Sequence, residues 1–194
     1  MTEDNQISYL YGDDEDEKLL NFIFRKGKNN LLCICLHPKE QAEQLKSTEN
    51  IEKLCGHNNY DGFVIAFLNP TVSNETMEIQ KFKDEINSNH LLIGALVMKN
   101  QFRFKNVLVC WGEEIEYYNQ EFFKQSAFRV LKDLDEDGLK FFCIGVDKNG
   151  NPLSVKENNI ENKLKKFNFK TYNANLKRTI KIEPEITING IEFK

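Results

Sequence analysis

The sequence predicts an α/β fold, a three-layer sandwich around a mainly parallel central sheet of four strands, followed by a C-terminal extension that contains a β-hairpin. Two observations lead there. The first is a set of four apolar runs, at residues 31–36, 63–68, 107–110 and 139–146, separated by helix-patterned segments. Apolar runs of this length without polar alternation read as strands covered on both faces, as parallel sheets are. Strands that alternate with helices call for right-handed crossovers in a layered fold. The second observation is that each run stops at a polar or aromatic signature: His37-Pro38, Asn69-Pro70-Thr71, Trp111-Gly112-Glu113 and Asp147-Lys148-Asn149-Gly150. Parallel strands point the same way, so the four signatures are expected together at the carboxyl edge, where open α/β sheets keep their ligand crevice.

Element by element, residues 13–26 read as an amphipathic helix with acids in the first turn, Leu19, Leu20, Ile23 and Phe24 on one face, and Gly27 as the stop. The first strand follows. Ser47 or Thr48 is a candidate cap for a short helix ending at Cys55-Gly56. After the second strand, residues 74–86 and 91–102 suggest a helix pair. The third strand precedes a longer helix over 117–134, with Phe122, Phe123, Phe128, Val130 and Leu131 as core candidates. The fourth strand ends in the turn at Asp147. Beyond Asn158 the pattern changes. Residues 160–167 suggest a last helix, 179–194 alternate like strands, and Asn189-Gly190 is a two-residue hairpin signal. The expected organisation is one α/β domain over 1–157 and an extension over 158–194, packed on the core or following it and dispensable to it.

At 194 residues, with 40% hydrophobic and 29% charged side chains, the chain is long enough to bury a core without covalent staples. No run approaches the roughly 20 apolar residues of a bilayer span, and the acidic start lacks the layout of a secretory signal. A cytosolic protein with no membrane partner is expected. Cys33, Cys35, Cys110 and Cys143 lie in or at the end of strand runs and Cys55 at a helix end. An odd count, no Cys-x-x-Cys and no histidine at ligand spacing argue against a disulfide framework and a zinc site. Small buried hydrophobes are the better reading. No cofactor is implied, because neither a phosphate loop, nor a dinucleotide fingerprint, nor a nucleophile elbow is present.

A formal net charge of −4 gives the whole molecule no footprint for duplex DNA. The distribution is uneven, however. Asp13, Asp14, Glu15, Asp16 and Glu17 form an acidic block, and residues 163–181 carry seven basic residues with no acid, interleaved with Phe167, Phe169 and Tyr172. Basic residues among aromatics could hold a single strand of nucleic acid, but a solvated face in a Lys- and Asn-rich composition is the better reading.

The order of motifs resembles an uncharacterised bacterial family, domain of unknown function 1643. The residues that carry the resemblance are Leu36-His37-Pro38-Lys39, Tyr60-Asp61-Gly62-Phe63 leading to Asn69-Pro70-Thr71, Val109-Cys110-Trp111-Gly112, and residues 144–152 with their Gly-x-Pro-like turn at Gly150-Asn151-Pro152. The resemblance covers about residues 7 to 157. His37 and Lys39 stand where that family usually has Asn and Ser, and its late His-Pro is missing around Leu153-Ser154. More remotely, the layout is similar to the uracil-DNA glycosylase superfamily. That similarity implies a base-binding pocket at the carboxyl edge, in which a flipped base is stacked by an aromatic and read along its polar edge by an amide.

The candidate ligand-binding residues are His37, Pro38, Asn69, Thr71, Trp111, Gly112 and Asn151, with His37 and Glu113 as catalytic candidates. Asn69 could present its amide to a base edge or close its own turn before Pro70. His37 could act as acid, base or oxyanion donor, or be a satisfied loop residue. Trp111 could wall a pocket or lie in the core, and Glu113 and Glu114 could orient water or complement a helix dipole. Two functions remain open. One is a nucleobase- or nucleotide-binding protein, with or without base-releasing hydrolysis; the other is an interaction module that kept the fold without the chemistry.

Overall fold

The computed structural model describes residues 7–11, 20–39, 41–70, 83–98, 102–116, 120–156 and 163–179. They form an α/β fold with a seven-stranded mixed sheet and, among the described residues, four α-helices. The strands are β1 (Ser8–Tyr11), β2 (Leu20–Arg25), β3 (Asn30–Cys35), β4 (Gly62–Phe67), β5 (Asn106–Val109), β6 (Lys140–Cys143) and β7 (Lys165–Lys166). The helices are α1 (Gln41–His57), α2 (Lys83–Met98), α3 (Gln120–Glu136) and α4 (Phe169–Thr179), with one turn of 3-10 helix at Glu113–Glu116.

The strand order is β1-β2-β4-β3-β5-β6-β7. The four apolar runs are β4, β3, β5 and β6, and neighbours among them pair in parallel: Leu32 opposite Val64, Leu32 opposite Val107, and Val107 opposite Phe141. The sheet is nevertheless larger and mixed rather than four-stranded, because antiparallel strands extend it on both sides. On one side β2 pairs with β4, Phe22 opposite Ala66, and β1 covers β2; on the other, β7 pairs with β6.

That arrangement corrects three readings. The segment around Leu20, Ile23 and Phe24 is strand β2, not the end of an amphipathic helix. Its apolar and aromatic side chains serve a strand as well as a helix, and the open edge of β4 decides the matter by tertiary pairing. Helix α1 begins well before Ser47 and Thr48, which are buried inside it, and the Thr48 hydroxyl donates back to the Gln44 carbonyl at 2.9 Å instead of capping. Helix α2 runs unbroken through the junction expected near residues 87–90. Of the helix expected over 74–86, the residues from Lys83 on are the start of α2, while residues 74–82 and the hairpin at Asn189-Gly190 lie outside the described residues.

The central strands β3, β4 and β5 are buried on both faces. On one face Leu31, Cys33, Phe63, Ile65, Phe67 and Leu108 meet Ile51, Leu54 and Cys55 of α1. On the other, Leu32, Ile34, Val64, Ala66, Val107 and Val109 meet α2, α3 and α4. Residues 163–179 are integral to this second layer. Of the helix expected over 160–167, residues 160–162 lie outside the described residues, and the rest instead adds β7 to the sheet edge, followed by α4, which buries Phe169, Tyr172 and Leu176 beside Phe167. The Phe141 and Phe169 rings stack with centroids 4.8 Å apart. The aromatics of the basic segment are thus core residues, while Lys165, Lys166, Lys170, Lys177 and Arg178 stay exposed. No helix among the described residues is long and apolar enough to cross a membrane.

Candidate functional site

Strand β3 leads into α1 on one face of the sheet, and its neighbour β5 leads through the 3-10 turn into α3 on the other. Chains that leave adjacent parallel strands towards opposite faces open a crevice between their carboxyl ends, the place where doubly wound sheets bind ligands. Here that crevice lies between Cys35-Leu36-His37 and Cys110-Trp111. Cys35 and Cys110 stand side by side beneath it, sulfurs 3.4 Å apart, both as free thiols.

Four ionisable side chains converge over this point. Lys39 Nζ donates to Glu114 Oε2 at 2.6 Å, and Lys156 Nζ donates to Glu114 Oε1. Lys39 Nζ also donates to His37 Nε2 at 3.0 Å, while His37 Nδ1 lies 2.8 Å from the Pro38 carbonyl oxygen. A carbonyl only accepts, so Nδ1 carries the proton, and Nε2 offers its lone pair to the lysine. The imidazole is therefore neutral; burial holds its pKa below the ordinary value, and the Lys39 ammonium adds to that. Burial by itself would raise the Glu114 carboxyl, but the hydrogen bonds from Lys156 and Lys39 outweigh it and keep the group ionised. Two ammonium groups against one carboxylate leave a net positive charge. Lys39 keeps 14% of its side chain exposed and Lys156 36%, so Lys156 is the more open of the two.

Trp111 floors the crevice and is core as well, 1% exposed, tilted against Tyr172 with ring centroids 5.7 Å apart. Gly112 follows at φ 76°, a left-handed conformation suited to glycine, and a Cβ there would stand 3.0 Å from the Ser154 Cβ. Its N–H donates to the Pro152 carbonyl at 2.9 Å, which brings the segment carrying Lys156 across β5. The free volume left among these groups is only about 20 Å³.

The other candidates divide. Pro38 is buried beside His37. Asn69 is fully buried, and its N–H donates to the Leu36 carbonyl at 2.9 Å, so it supports the strand end beneath the crevice. Thr71 lies outside the described residues. Glu113 points to solvent, and its neighbour Glu114 is the carboxylate turned inward. Asn151 belongs to a second network: its amide donates to Glu116 Oε1 at 3.0 Å and Asp147 Oδ2 at 3.2 Å, and its Oδ1 accepts from the Tyr172 hydroxyl at 3.2 Å. Glu116 is also paired with Lys124 at 2.5 Å. The amide's donors and acceptor are all engaged, so Asn151 ties the last turn to α4. Sequence reasoning missed Lys39 and Lys156 as site members. The signal for Lys39 was its place directly after His37-Pro38; Lys156, distant in the chain, had none.

The end of β4 is fixed from α2. Asn89 Nδ2 donates to the Phe67 carbonyl at 2.5 Å and His90 Nε2 to that of Leu68 at 3.0 Å. Burial lowers the His90 pKa from 6.5 to about 4. Below pH 6.5 the unfolded chain takes up a proton that the folded chain refuses, so this contribution is whole above pH 6.5 and is lost as the pH falls towards 4. We expect a fall of up to about 3 kcal/mol across that window, seen as a drop in Tm, and a flatter Tm–pH profile for His90→Gln. An equally steep profile in the variant would refute the assignment to His90.

Fold and site together define an α/β protein with a polar crevice at the switch point of a mixed sheet. A family model described as "Protein of unknown function (DUF1643)" matches residues 19–153, and the chain belongs to that family. Comparison with curated proteins and with solved structures gives no match in either set.

Proposed function

We propose that the chain binds a nucleobase- or nucleotide-like ligand at the carboxyl edge, over the crevice between β3 and β5, without catalysing a reaction on it. The observation that carries this reading is the convergence of His37, Lys39, Glu114 and Lys156, drawn from three separate segments, on the switch point of the sheet. Perturbed ionisable groups concentrate at functional sites, and this cluster lies where α/β folds bind ligands. The net positive charge suits an anionic group, and the motif order similar to the uracil-DNA glycosylase superfamily supplies the ligand class. Binding is favoured over hydrolysis because the lone pair of His37, the general-base candidate within the crevice, is engaged by Lys39. A volume of about 20 Å³ holds about one water, so the ligand rests on the rim, at Lys156 and Lys39, rather than inside.

The same small volume favours a second reading, a protein-interaction module that retains the fold. Thermal denaturation with nucleobases, nucleosides and nucleoside monophosphates separates the two. A ligand at about 100 times its Kd adds about 2.7 kcal/mol, or several degrees in Tm for a chain of this size. Nucleoside monophosphates are expected to give the larger shifts, and Lys39→Ala to remove them while unfolding stays cooperative. No shift across the panel would leave the interaction module standing.

A further inference from the structure

Beneath the charged cluster, the two central strands bring a pair of thiols into contact. The parallel register that sets Ile34 opposite Val109 leads on to Cys35 opposite Cys110, and the ladder continues there, the Cys110 N–H donating to the Ile34 carbonyl at 2.9 Å. Neighbouring strands lie about 4.7–4.9 Å apart, inside the roughly 4.4–6.8 Å between α-carbons that a disulfide spans. Both side chains leave the same face, and their sulfurs stand 3.4 Å apart as free thiols. Cysteines that merely fill space in a core need no such contact.

The two thiols differ in access. Cys35 is partly exposed on the wall of the crevice, whereas Cys33, Cys55, Cys110 and Cys143 are each at most 3% exposed. Cys110 donates its S–H to the Ile34 carbonyl at 3.4 Å, which leaves its lone pairs free to face Cys35. The contact with Cys35 and burial together push the Cys110 thiol well up, so Cys110 is the poorer of the two at a first attack on an oxidant. A reachable thiol backed by a buried one is the arrangement of an attacking and a resolving cysteine. The ammonium groups of Lys39 and Lys156 line the same cavity, where positive charge stabilises a departing hydroxide.

We propose that Cys35 and Cys110 are a redox-active dithiol, oxidised by hydrogen peroxide to an internal disulfide that ties β3 to β5 beneath the crevice. The Cys35 sulfur attacks one peroxide oxygen as the O–O bond breaks. The other oxygen leaves as hydroxide and takes the thiol proton, giving a sulfenic acid on Cys35 and one water. The Cys110 sulfur then attacks the Cys35 sulfur, the S–O bond breaks, and the hydroxide released takes the Cys110 proton as a second water. The two thiols together give up two electrons, and the peroxide takes them. The assignment does not rest on the ligand proposed for the crevice.

The test takes the full chain, reduced and then freed of reductant, treats it with hydrogen peroxide, alkylates it in denaturant and maps the peptides by mass spectrometry. A linked Cys35–Cys110 peptide is expected, with alkylation lost at these two of the five thiols and restored by dithiothreitol. The bridge closes a sequence separation of 75 residues and so restricts the unfolded chain. Tm should therefore rise by about 5 °C or more on oxidation and return on reduction. In Cys110→Ala, Cys35 should stop at a sulfenic acid that dimedone captures. In Cys35→Ala, Cys110 should stay unmodified at the same dose, and circular dichroism checks that both variants fold. Persistence of all five thiols in the wild type, a link through Cys33 or Cys55, or a bridge between two chains would overturn the proposal. So would an oxidised protein that melts below the reduced one, because the bridge would then disrupt the register it is inferred from.

Discussion

Gly62→Ala is expected to destabilise the protein by about 3 kcal/mol or more, the upper end of what overpacking costs. Gly62 opens β4 where the backbone at Gly27 crosses it. A Cβ at Gly62 would overlap the Asn30 side chain and the Gly27 backbone and stand 2.7 Å from the Arg25 carbonyl oxygen. Most of these neighbours are backbone atoms, which cannot swing aside as a side-chain tip would. The site is also fully tied: Asn30 Oδ1 accepts from the Gly27 N–H at 2.7 Å, and its Nδ2 donates to the Gly27 and Phe102 carbonyls at 2.9 and 2.8 Å. Relief would therefore break hydrogen bonds at the start of β3 and pull β2 away from β4. Chemical denaturation measures the loss. At 2–4 °C per kcal/mol for a chain of this size, Tm should fall by about 10 °C. A loss below about 1 kcal/mol would show that the crossing is loose.

Truncation after Leu164 should abolish cooperative unfolding altogether. The cut removes β7 from the edge of β6 and takes Phe167, Phe169, Tyr172 and Leu176 out of the core, each at most 8% exposed. At about 1.5–3 kcal/mol for each large apolar side chain, the loss is comparable to the 5–15 kcal/mol that holds a domain together. The cut also strands Asn151, whose Oδ1 loses the Tyr172 hydroxyl, and uncovers Trp111. Urea titration followed by Trp111 fluorescence and far-ultraviolet circular dichroism is the measurement. A sigmoidal transition in the truncated chain would show that the layers close without α4.

What the sequence made legible follows from how local each signal is. Strands β3, β4 and β5 were readable because strands covered on both faces need no alternation and stand out as unbroken apolar stretches, and β6, whose run holds the exposed Lys140, still kept enough apolar residues to be found. Helix α3 was readable because its buried face recurs at helical spacing through Phe123, Ala127, Val130, Leu131 and Leu134. Strand β2 was not, since Leu20, Asn21, Phe22 and Ile23 are all buried and carry no period of two. Its state is set by β4, some 40 residues on. Likewise Lys165 and Lys166 form a strand only because Phe142 and Cys143 offer an edge. At the site, His37 and Trp111 declared themselves as strand-end signatures. The identity of the inward carboxylate, Glu114 rather than Glu113, depends on the phase of a single 3-10 turn. The role of Asn69 was obscured because an Asn-Pro pair looks the same in sequence whether its amide faces a pocket or, as here, lies buried.

The position of β3 bears on how the molecule acquires and loses its structure. It is joined to parallel partners from both halves of the chain: β4, some 30 residues later, and β5, some 75 residues later. Each pairing closes a long loop before it is rewarded, which places the chain among slow-folding, non-local topologies. The crevice between β3 and β5 cannot precede the second pairing. His37 and Glu114 meet only once both crossovers have been laid down, so the site is among the last features to assemble and has no partly built form that a lone β3–β4 unit could display. In amide exchange terms, opening this site and separating the two halves of the sheet are one event. The slowest-exchanging N–H groups should be those of β3 itself, and whatever seats itself on the crevice would slow exchange throughout the central strands and not merely in the loops it touches.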